Sequence, residues 1–474
     1  MNIRYSLLAL SALALPAGAA QYGQPYPAPP AYPVMPGPRA EPWMPPPPGP
    51  APQPWGQQQT SPSAKRSGPA LEPIDLPPAI EQGVDMIYID EELVPKAIQQ
   101  DANLTHDISF SDWSGDPVDM FVSMNPIYTD LRRGLVRYQQ RWGNLPNIPI
   151  PAGPTLKTGM TGDRVTALRA RLGLAEGGAF DATVAANVKE FQAAHGLKAD
   201  GVAGAGTVDA LNRGPQYYEQ RIIINMERAR RLPAPEEQRK YAVVDAGGAR
   251  LTLWENGRKV DEMKVIVGKA ETATPMMAAN IKYASVNPYW NVPPELVRSL
   301  IAPRVVAQGA SYLTEREYEV SSDYGDNAQK LDPTTVDWQA VVDGRQEVRL
   351  RRLPSPANSM GMMKFMLPNY FGIYLHDSPE KDHFTKNELW ISNGCVRVED
   401  YKRLARWLFD GPAPTGKNPK VEEEVNLPQP VPVYMTYLTV QPTATGMVFL
   451  PDPYGRDAAL LEKFSSRMVA AVQR

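Results

Sequence analysis

The feature that most constrains the fold is a change in hydrophobic period near Tyr241. Before this point, apolar residues recur at the spacing of one helical face, as in Tyr128, Leu131, Leu135 and Tyr138. After it, Leu251 and Leu253 alternate with polar or bulky neighbours, and Asn256-Gly257 is a strong signal for a tight hairpin turn. The chain is therefore expected to be multidomain α+β, with helical units followed by a β-domain.

The length and the first residues indicate how much of the chain folds. At about 150 residues per domain, 474 residues predict two to four folded units. Residues 1–20 have a basic start, an apolar stretch and small residues at the end, which is typical of a secretory signal peptide. Residues 21–73 are rich in proline and predict an extended or disordered linker. Export is therefore expected, with an uncleaved anchor as the alternative.

The charge balance and the cysteine count narrow the chemistry. There are 49 basic and 52 acidic residues without a block of like charge, so no nucleic-acid partner is expected. Exported proteins use cysteines mainly in disulfides, but the single Cys395 has no partner in its own chain. Cys395 is therefore either a small buried apolar residue or a thiol kept for its reactivity.

The remaining chain divides where these patterns change. Asp163 and Asp181 are expected to cap helices of a small three-helix unit, and another helix begins near Arg221 and ends before Pro233. A long polar excursion interrupts the β-domain and is expected to act as a lid or binding element. The predicted units are a helical scaffold at 74–154 and 214–238, the three-helix unit at 155–213, the β-domain at 239–440 with the excursion at about 297–348, and a C-terminal segment at 441–474.

Cys395 and His376 form the strongest chemical pattern. Alternation along a predicted strand places Tyr374 and His376 on the face opposite Phe371, Ile373 and Leu375. An imidazole near Cys395 can take the thiol proton or stabilise a thiolate in an ion pair, which makes Cys395 a candidate nucleophile and His376 its general base or acid. Gly394 lets the backbone approach a bound carbonyl, and amides of this turn are candidate oxyanion donors. Arg397 attracts a substrate carboxylate or, alternatively, makes a surface ion pair.

His376, fifteen intervening residues and then Ser392-Asn393-Gly394-Cys395-Val396-Arg397 closely resemble the signature of the L,D-transpeptidase family. Further stretches resemble the large periplasmic members from Gram-negative bacteria, among them 287–294, Thr274-Pro275, 363–366, 374–379 and 431–434. Within the three-helix unit, 191–197 and 200–204 resemble a peptidoglycan-binding domain. Asn393 departs from the family, where His or Ser is common.

The resemblance implies an all-α scaffold, an inserted three-helix peptidoglycan-binding domain and a β-sandwich L,D-transpeptidase catalytic domain with a capping subdomain. It implies a periplasmic enzyme, without cofactor or metal, that acts as a monomer on tetrapeptide stems of peptidoglycan and forms 3-3 crosslinks through a cysteine thioester. It also implies acylation by carbapenems. The backbone of Asp377 would orient His376, and substrate contacts would come from Arg397, Ser392, Asn393, Tyr374, Trp290 and Tyr289.

Several alternatives stay open. Resolution of the thioester by water, by a free D-amino acid or by an outer-membrane protein gives other products from the same donor. A zinc site made of His376, His383 and Cys395 lacks the usual ligand spacing, and His383 otherwise is a loop or substrate-side residue. A non-catalytic wall-binding protein is the alternative of another class. His195 fits packing better than ligand binding, and Trp290 and Tyr289 are also candidates for the core.

Overall fold

The computed structural model describes residues 83–96, 98, 123–322, 329–443 and 446–462. The predicted signal peptide at 1–20, the predicted linker at 21–73 and the end of the C-terminal segment at 463–474 lie outside the described residues. Within the described ranges, no helix is long and apolar enough to cross a membrane.

Among the described residues of the scaffold, helix α1 at Pro126–Tyr138 and helix α5 at Pro215–Ala229 pack against each other. The side chain of Asn125 caps α1 by accepting a hydrogen bond from the amide of Ile127. Helix α5 begins six residues before the predicted Arg221, because Gly214-Pro215 is itself a helix-start signal. A short strand β1, Ile87–Tyr88, also lies in the first scaffold segment, which is therefore not wholly helical.

The three-helix unit consists of α2 at Asp163–Arg171, α3 at Ala182–Ala194 and α4 at Ala205–Asn212. Asp181 caps α3 as predicted, since its carboxylate accepts a hydrogen bond of 2.9 Å from the amide of Val184. Asp163 instead is the first residue of α2, and Gly162 is the capping residue. The predicted inward side chains are buried, namely Val165, Leu168, Leu172, Val184, Val188 and Phe191.

His195 connects this unit to the rest of the molecule. Its ring is 6% exposed and is stacked on Phe191 at 3.8 Å and on Phe449 at 5.2 Å. Its Nε2 lies 3.2 Å from the hydroxyl of Tyr138 in α1, and burial lowers the pKa of its imidazole to about 3. Phe449 belongs to a hairpin of β15, Val440–Pro442, and β16, Met447–Phe449. His195 is thus a packing residue where scaffold, three-helix unit and C-terminal hairpin meet.

Eight of the described β-domain strands form a ring in the order β5, β10, β11, β13, β4, β3, β2, β14 and back to β5. The predicted turn at Asn256-Gly257 joins β3 to β4, and both residues have positive φ. Strand β1 adds to β5, and β12 adds to β4. The bounds are β2 Lys240–Asp245, β3 Arg250–Glu255, β4 Arg258–Gly268, β5 Met277–Val286, β10 Met363–Met366, β11 Leu375–His376, β12 Trp390–Ser392, β13 Val396–Val398 and β14 Glu423–Thr436.

The ring closes through β14, which is 14 residues long and has a register shift between Asn426 and Val431. The two halves of β14 both pair with β5, while its last residues pair with β2. One apolar core fills the ring, and its fully buried members include Leu251, Val265, Ile281, Phe365, Leu375 and Val433. The predicted β-sandwich has two sheets, and the closed ring means that these sheets are hydrogen-bonded to each other along both edges. Helix α9, Tyr401–Leu408, follows β13 and covers this core.

The capping subdomain has its own core and its own four-stranded sheet, in the order β6, β9, β7, β8. The predicted bounds of about 297–348 are too narrow, because Trp290 in β6 pairs with Arg352 in β9 and both strands belong to the cap. The elements are β6 Trp290–Val292, helical turns Pro294–Leu296 and Val297–Ile301, α6 Ala302–Gln308, α7 Ser311–Glu315, β7 Tyr318–Ser321, β8 Lys330–Leu331, α8 Trp338–Val342 and β9 Arg349–Arg352.

Candidate active site

Strand pairing brings the predicted site residues onto one face of the sheet. His376 in β11 lies beside Arg397 in β13 on one side and beside Lys364 in β10 on the other. Paired residues share a face, and so do residues two apart along a strand, so Tyr374 and Cys395 belong to the same face. Their neighbours Leu375 and Val396 point into the core and are fully buried.

The segment before His376 differs from the predicted continuous strand. Only Leu375–His376 is a strand, and 369–372 form a turn held by Asn369. The Asn369 amide donates to the carbonyls of Leu367 and Ile373 at 2.6 and 2.7 Å, while its oxygen accepts from the amides of Phe371 and Ile373. The turn places the Gly372 carbonyl 3.6 Å from the sulfur of Cys395.

His376 is 2% exposed, with Nδ1 at 2.6 Å from the backbone carbonyl of Asp377. A carbonyl only accepts hydrogen bonds, so Nδ1 carries the proton and Nε2 has the basic lone pair. Burial, and then the charges of Arg397 and Lys364, lower the pKa of the imidazole to about 3, so it is neutral at pH 7. The Asp377 carboxylate faces away, toward the amide of Met362 and Lys381.

Cys395 is half-buried, and burial raises the pKa of its thiol above the ordinary value. Hydrogen bonds from Tyr374 and the charges of Arg397 and Lys364 favour the thiolate, but burial outweighs them. The resting site therefore holds a neutral thiol and a neutral imidazole. Of the two options left open by the sequence, these protonation states favour proton removal by a general base over a preformed ion pair.

This resting state predicts how the thiol reacts with a small alkylating agent. We expect the rate of iodoacetamide addition to Cys395 to rise about tenfold per pH unit from pH 6 to 8, because the thiolate fraction does so well below the raised pKa of the thiol. The rate is measured by intact-protein mass at several pH values, with free cysteine as the control. A rate that stays level from pH 6 to 8 would indicate an ion pair instead.

The turn 392–395 presents the thiol. Gly394 has φ +112°, and a Cβ there would lie 3.1 Å from Cδ1 of Ile373. The Ser392 hydroxyl donates to the Cys395 carbonyl at 2.6 Å and accepts from the Gly394 amide at 3.2 Å. Ser392 thus holds the turn in this structure, and the Gly394 amide is occupied. Among the described residues, the Cys395 amide has no hydrogen-bond acceptor, which leaves it as the candidate oxyanion donor.

Residues that sequence reasoning did not single out support this turn from below. The hydroxyl of fully buried Thr274 donates to the Gly394 carbonyl at 2.8 Å and accepts from the Gly268 amide at 3.0 Å. The Gly268 carbonyl in turn accepts a hydrogen bond of 2.7 Å from the hydroxyl of Tyr454. The sequence analysis names Thr274 only within the family resemblance, and no pattern in the sequence predicts a role for Tyr454.

Lys364 is another residue without a role in the sequence analysis. It is 9% exposed, lies 3.0 Å from the Glu422 carboxylate and donates to the Tyr289 carbonyl at 3.4 Å. The guanidinium carbon of Arg351 lies over the Tyr289 ring, 4.5 Å from the ring centroid. Trp290 packs against the cap core, near Tyr318. Tyr289 and Trp290 thus lie at the root of the cap, and their predicted substrate contacts stay predictions.

Charged groups surround the outer edge of the site. Arg397 lies 3.0 Å from the Glu380 carboxylate, which is also 3.6 Å from Nδ1 of His383. Asn393 is exposed next to the nucleophile. In the part of the chain that the structure describes, no group of three or more His, Cys, Asp or Glu side chains is placed to hold a metal ion. His376, His383 and Cys395, the alternative zinc ligands, are not gathered in such a group.

Comparison with known families identifies both units that the sequence motifs indicated. Residues 239–422 match the family described as L,D-transpeptidase catalytic domain, and residues 162–211 match a peptidoglycan binding domain. The chain therefore contains an L,D-transpeptidase catalytic domain and a peptidoglycan-binding domain, as the resemblance predicted.

Comparison with individual proteins finds one curated relative and several solved structures. A Haemophilus influenzae protein assigned as an L,D-transpeptidase is 30% identical over 244 residues, which are 50% of this chain and 48% of that protein. The chain thus spans about half the length of the curated relative it matches. Similar solved structures include an L,D-transpeptidase from Mycobacterium smegmatis (11% identity, 43% of this chain and 60% of that one, TM-score 0.21). Another is from Xylanimonas cellulosilytica (17% identity, 60% and 98%, TM-score 0.19).

Proposed function

We propose that the protein is a periplasmic cysteine L,D-transpeptidase that joins two peptidoglycan stems by a 3-3 crosslink between diaminopimelate residues. The carrying observation is the pairing of buried His376 with Arg397 across β11 and β13, with Cys395 two residues before Arg397 in the chain. The peptidoglycan-binding domain at 162–211 supports a wall substrate. Tetrapeptide stems are the proposed donors, and the enzyme is proposed to work as a monomer without a cofactor.

The first half of the proposed reaction forms an acyl-enzyme. Nε2 of His376 removes the thiol proton as the sulfur attacks the carbonyl at the L-centre of diaminopimelate, and the Cys395 amide stabilises the oxyanion. When the tetrahedral intermediate collapses, the C–N bond to the terminal D-Ala breaks. The imidazolium returns its proton to the leaving amine, so D-Ala departs and a thioester remains on Cys395.

The second half transfers the acyl group to the acceptor. A side-chain amine of diaminopimelate on another stem attacks the thioester carbonyl, and His376 accepts the proton that this amine loses. The C–S bond then breaks, an amide forms, and the thiolate is reprotonated by the imidazolium. Cys395 and His376 return to their neutral resting states.

The cap favours an amine acceptor over water. Both of its roots are fastened to the site by fully buried Asn358, whose amide donates to the carbonyls of Pro288 and Leu353 at 3.0 Å. The Asn358 side-chain oxygen accepts a hydrogen bond from the amide of Met360. Two residues later, the amide of Met362 donates to the Asp377 carboxylate. A cap held beside the thioester excludes water from it, which disfavours hydrolysis.

A defined substrate tests the proposal. We expect the wild-type protein, incubated with a disaccharide-tetrapeptide, to give dimers with the mass of two monomers minus one D-Ala. Mass analysis separates these dimers from hydrolysed tripeptide and from D-amino-acid exchange products, and an added outer-membrane protein with a free amine tests attachment. The proposed acceptor is wrong if only tripeptide forms. The non-catalytic alternative stands if neither substrate nor a carbapenem adds mass to the protein.

A further inference from the structure

We infer that Glu380 is a resident carboxylate that occupies Arg397 in the free protein, and that the carboxylate of the donor stem's terminal D-Ala replaces it on binding. Glu380 would then set the affinity of the site for its anionic donor. This inference rests on the proposed function, since it concerns recognition of the same tetrapeptide.

Glu380 has the geometry of a displaceable ligand. Its carboxylate lies 3.0 Å from Nη1 of Arg397, and the two side chains are 55% and 23% exposed. The backbone around Glu380 is held by two hydrogen bonds, from the Lys381 amide to the Pro379 carbonyl at 3.1 Å and from the His383 amide to the Glu380 carbonyl at 3.2 Å. The Lys381 side chain also donates to the Asp377 carboxylate at 2.7 Å and to the Glu399 carbonyl at 2.8 Å. The Glu380 side chain is therefore held near Arg397 by its own backbone, while its carboxylate stays in contact with solvent.

Arg397 lies where the donor carboxylate must be. It follows Cys395 by two residues on the same face, so the two Cα atoms are about 7 Å apart. The scissile carbonyl sits at the thiol, and the terminal residue attached to it carries its carboxylate within about one residue length, ~3.8 Å. The Arg397 side chain spans the remaining distance, and a guanidinium is well suited to a carboxylate.

The energies permit the exchange. An ion pair in contact with solvent, such as Glu380–Arg397, is weak because water screens its charges. A bound stem excludes water, so its carboxylate makes a stronger charge-assisted hydrogen bond with the same guanidinium. Glu380 therefore weakens donor binding by a small factor without preventing it, and it keeps the guanidinium neutralised between turnovers.

Binding is measured by calorimetry in the Cys395→Ala background, so that no chemistry intervenes. The ligand is the free tetrapeptide, either with its D-Ala carboxylate or with that group amidated. We expect Glu380→Gln to lower Kd for the carboxylate form about 2- to 5-fold. It should leave Kd for the amidated form unchanged. Amidation itself should raise Kd at least about 10-fold.

Asp382→Asn is the matched control, because it removes the same charge from the same turn. Asp382 is paired with Lys386. The inference is overturned if Asp382→Asn tightens binding as much as Glu380→Gln, which would indicate a general charge effect. It is equally overturned if Glu380→Gln improves binding of both ligand forms alike. Failure of the proposed function is detected in a separate experiment. In that case the wild-type protein forms no thioester when it is incubated with the tetrapeptide.

Discussion

Cys395→Ala should abolish dimer formation from tetrapeptide muropeptides, a loss of more than about 10³-fold in rate, because the acyl group then has no nucleophile to receive it. The fold should be unaffected, since the side chain is half-buried and the turn is held by Ser392, Gly394 and Thr274. The measurement is the dimer yield by mass analysis together with the thermal midpoint of the variant.

The comparison with Cys395→Ser strengthens this result. Serine keeps the size and a hydroxyl, but its pKa is too high for a neutral imidazole to activate it comparably, so we also expect loss of dimers. Unchanged dimer yield in Cys395→Ala would refute the assignment of the nucleophile.

His376→Ala should lower kcat/KM for thioester formation about 10²- to 10⁴-fold at pH 7, because the base is removed while the thiol keeps its raised pKa. In the wild type, the imidazole is unprotonated above about pH 3 and the thiol stays protonated through pH 8, so the rate should be level from pH 5 to 8. The variant depends on free thiolate instead. Its rate should therefore rise about tenfold per pH unit over the same range.

His383→Ala is the control for this profile, because His383 is close to Glu380 in the adjacent turn and has no contact with the Asp377 carbonyl that orients the base. It should keep the level profile, because the general base is untouched. A wild-type rate that falls by half between pH 7 and 6 would show that His376 titrates near its ordinary pKa, and the general-base mechanism as described would be wrong.

Local patterns predicted the organisation of the chain well. A sequence displays directly the features that depend on neighbours within a few residues. These are the Asp181 cap and the buried faces of the three-helix unit, the turn at Asn256-Gly257 and the helix after β13. The family comparisons confirm the catalytic and peptidoglycan-binding domains. The roles of Cys395 and His376 stay predictions, although the structure places both residues on one face.

Contacts distant in sequence could not be predicted in the same way. The predicted cap is narrower than the observed one, because the pairing of Trp290 with Arg352 joins residues far apart in the chain. The predicted strand through 371–376 is interrupted, because the Asn369 side chain holds a turn at its start. Lys364 and Tyr454 carried no local signal, since their significance comes from partners supplied by other strands and by the C-terminal segment.

The ring of strands has a consequence for how the molecule behaves in a crowded solution. Each of the eight strands in the ring has a neighbour on both sides, so no strand terminates that ladder within the described residues. One side of β5 pairs first with β1 and then with β10. Between these two pairings, the amide of Asn280 donates to the carboxylate of Asp90 at 2.8 Å. Free edges are where β-proteins add foreign strands and begin to aggregate. The catalytic sheet is therefore protected against edge-to-edge polymerisation by its own connectivity.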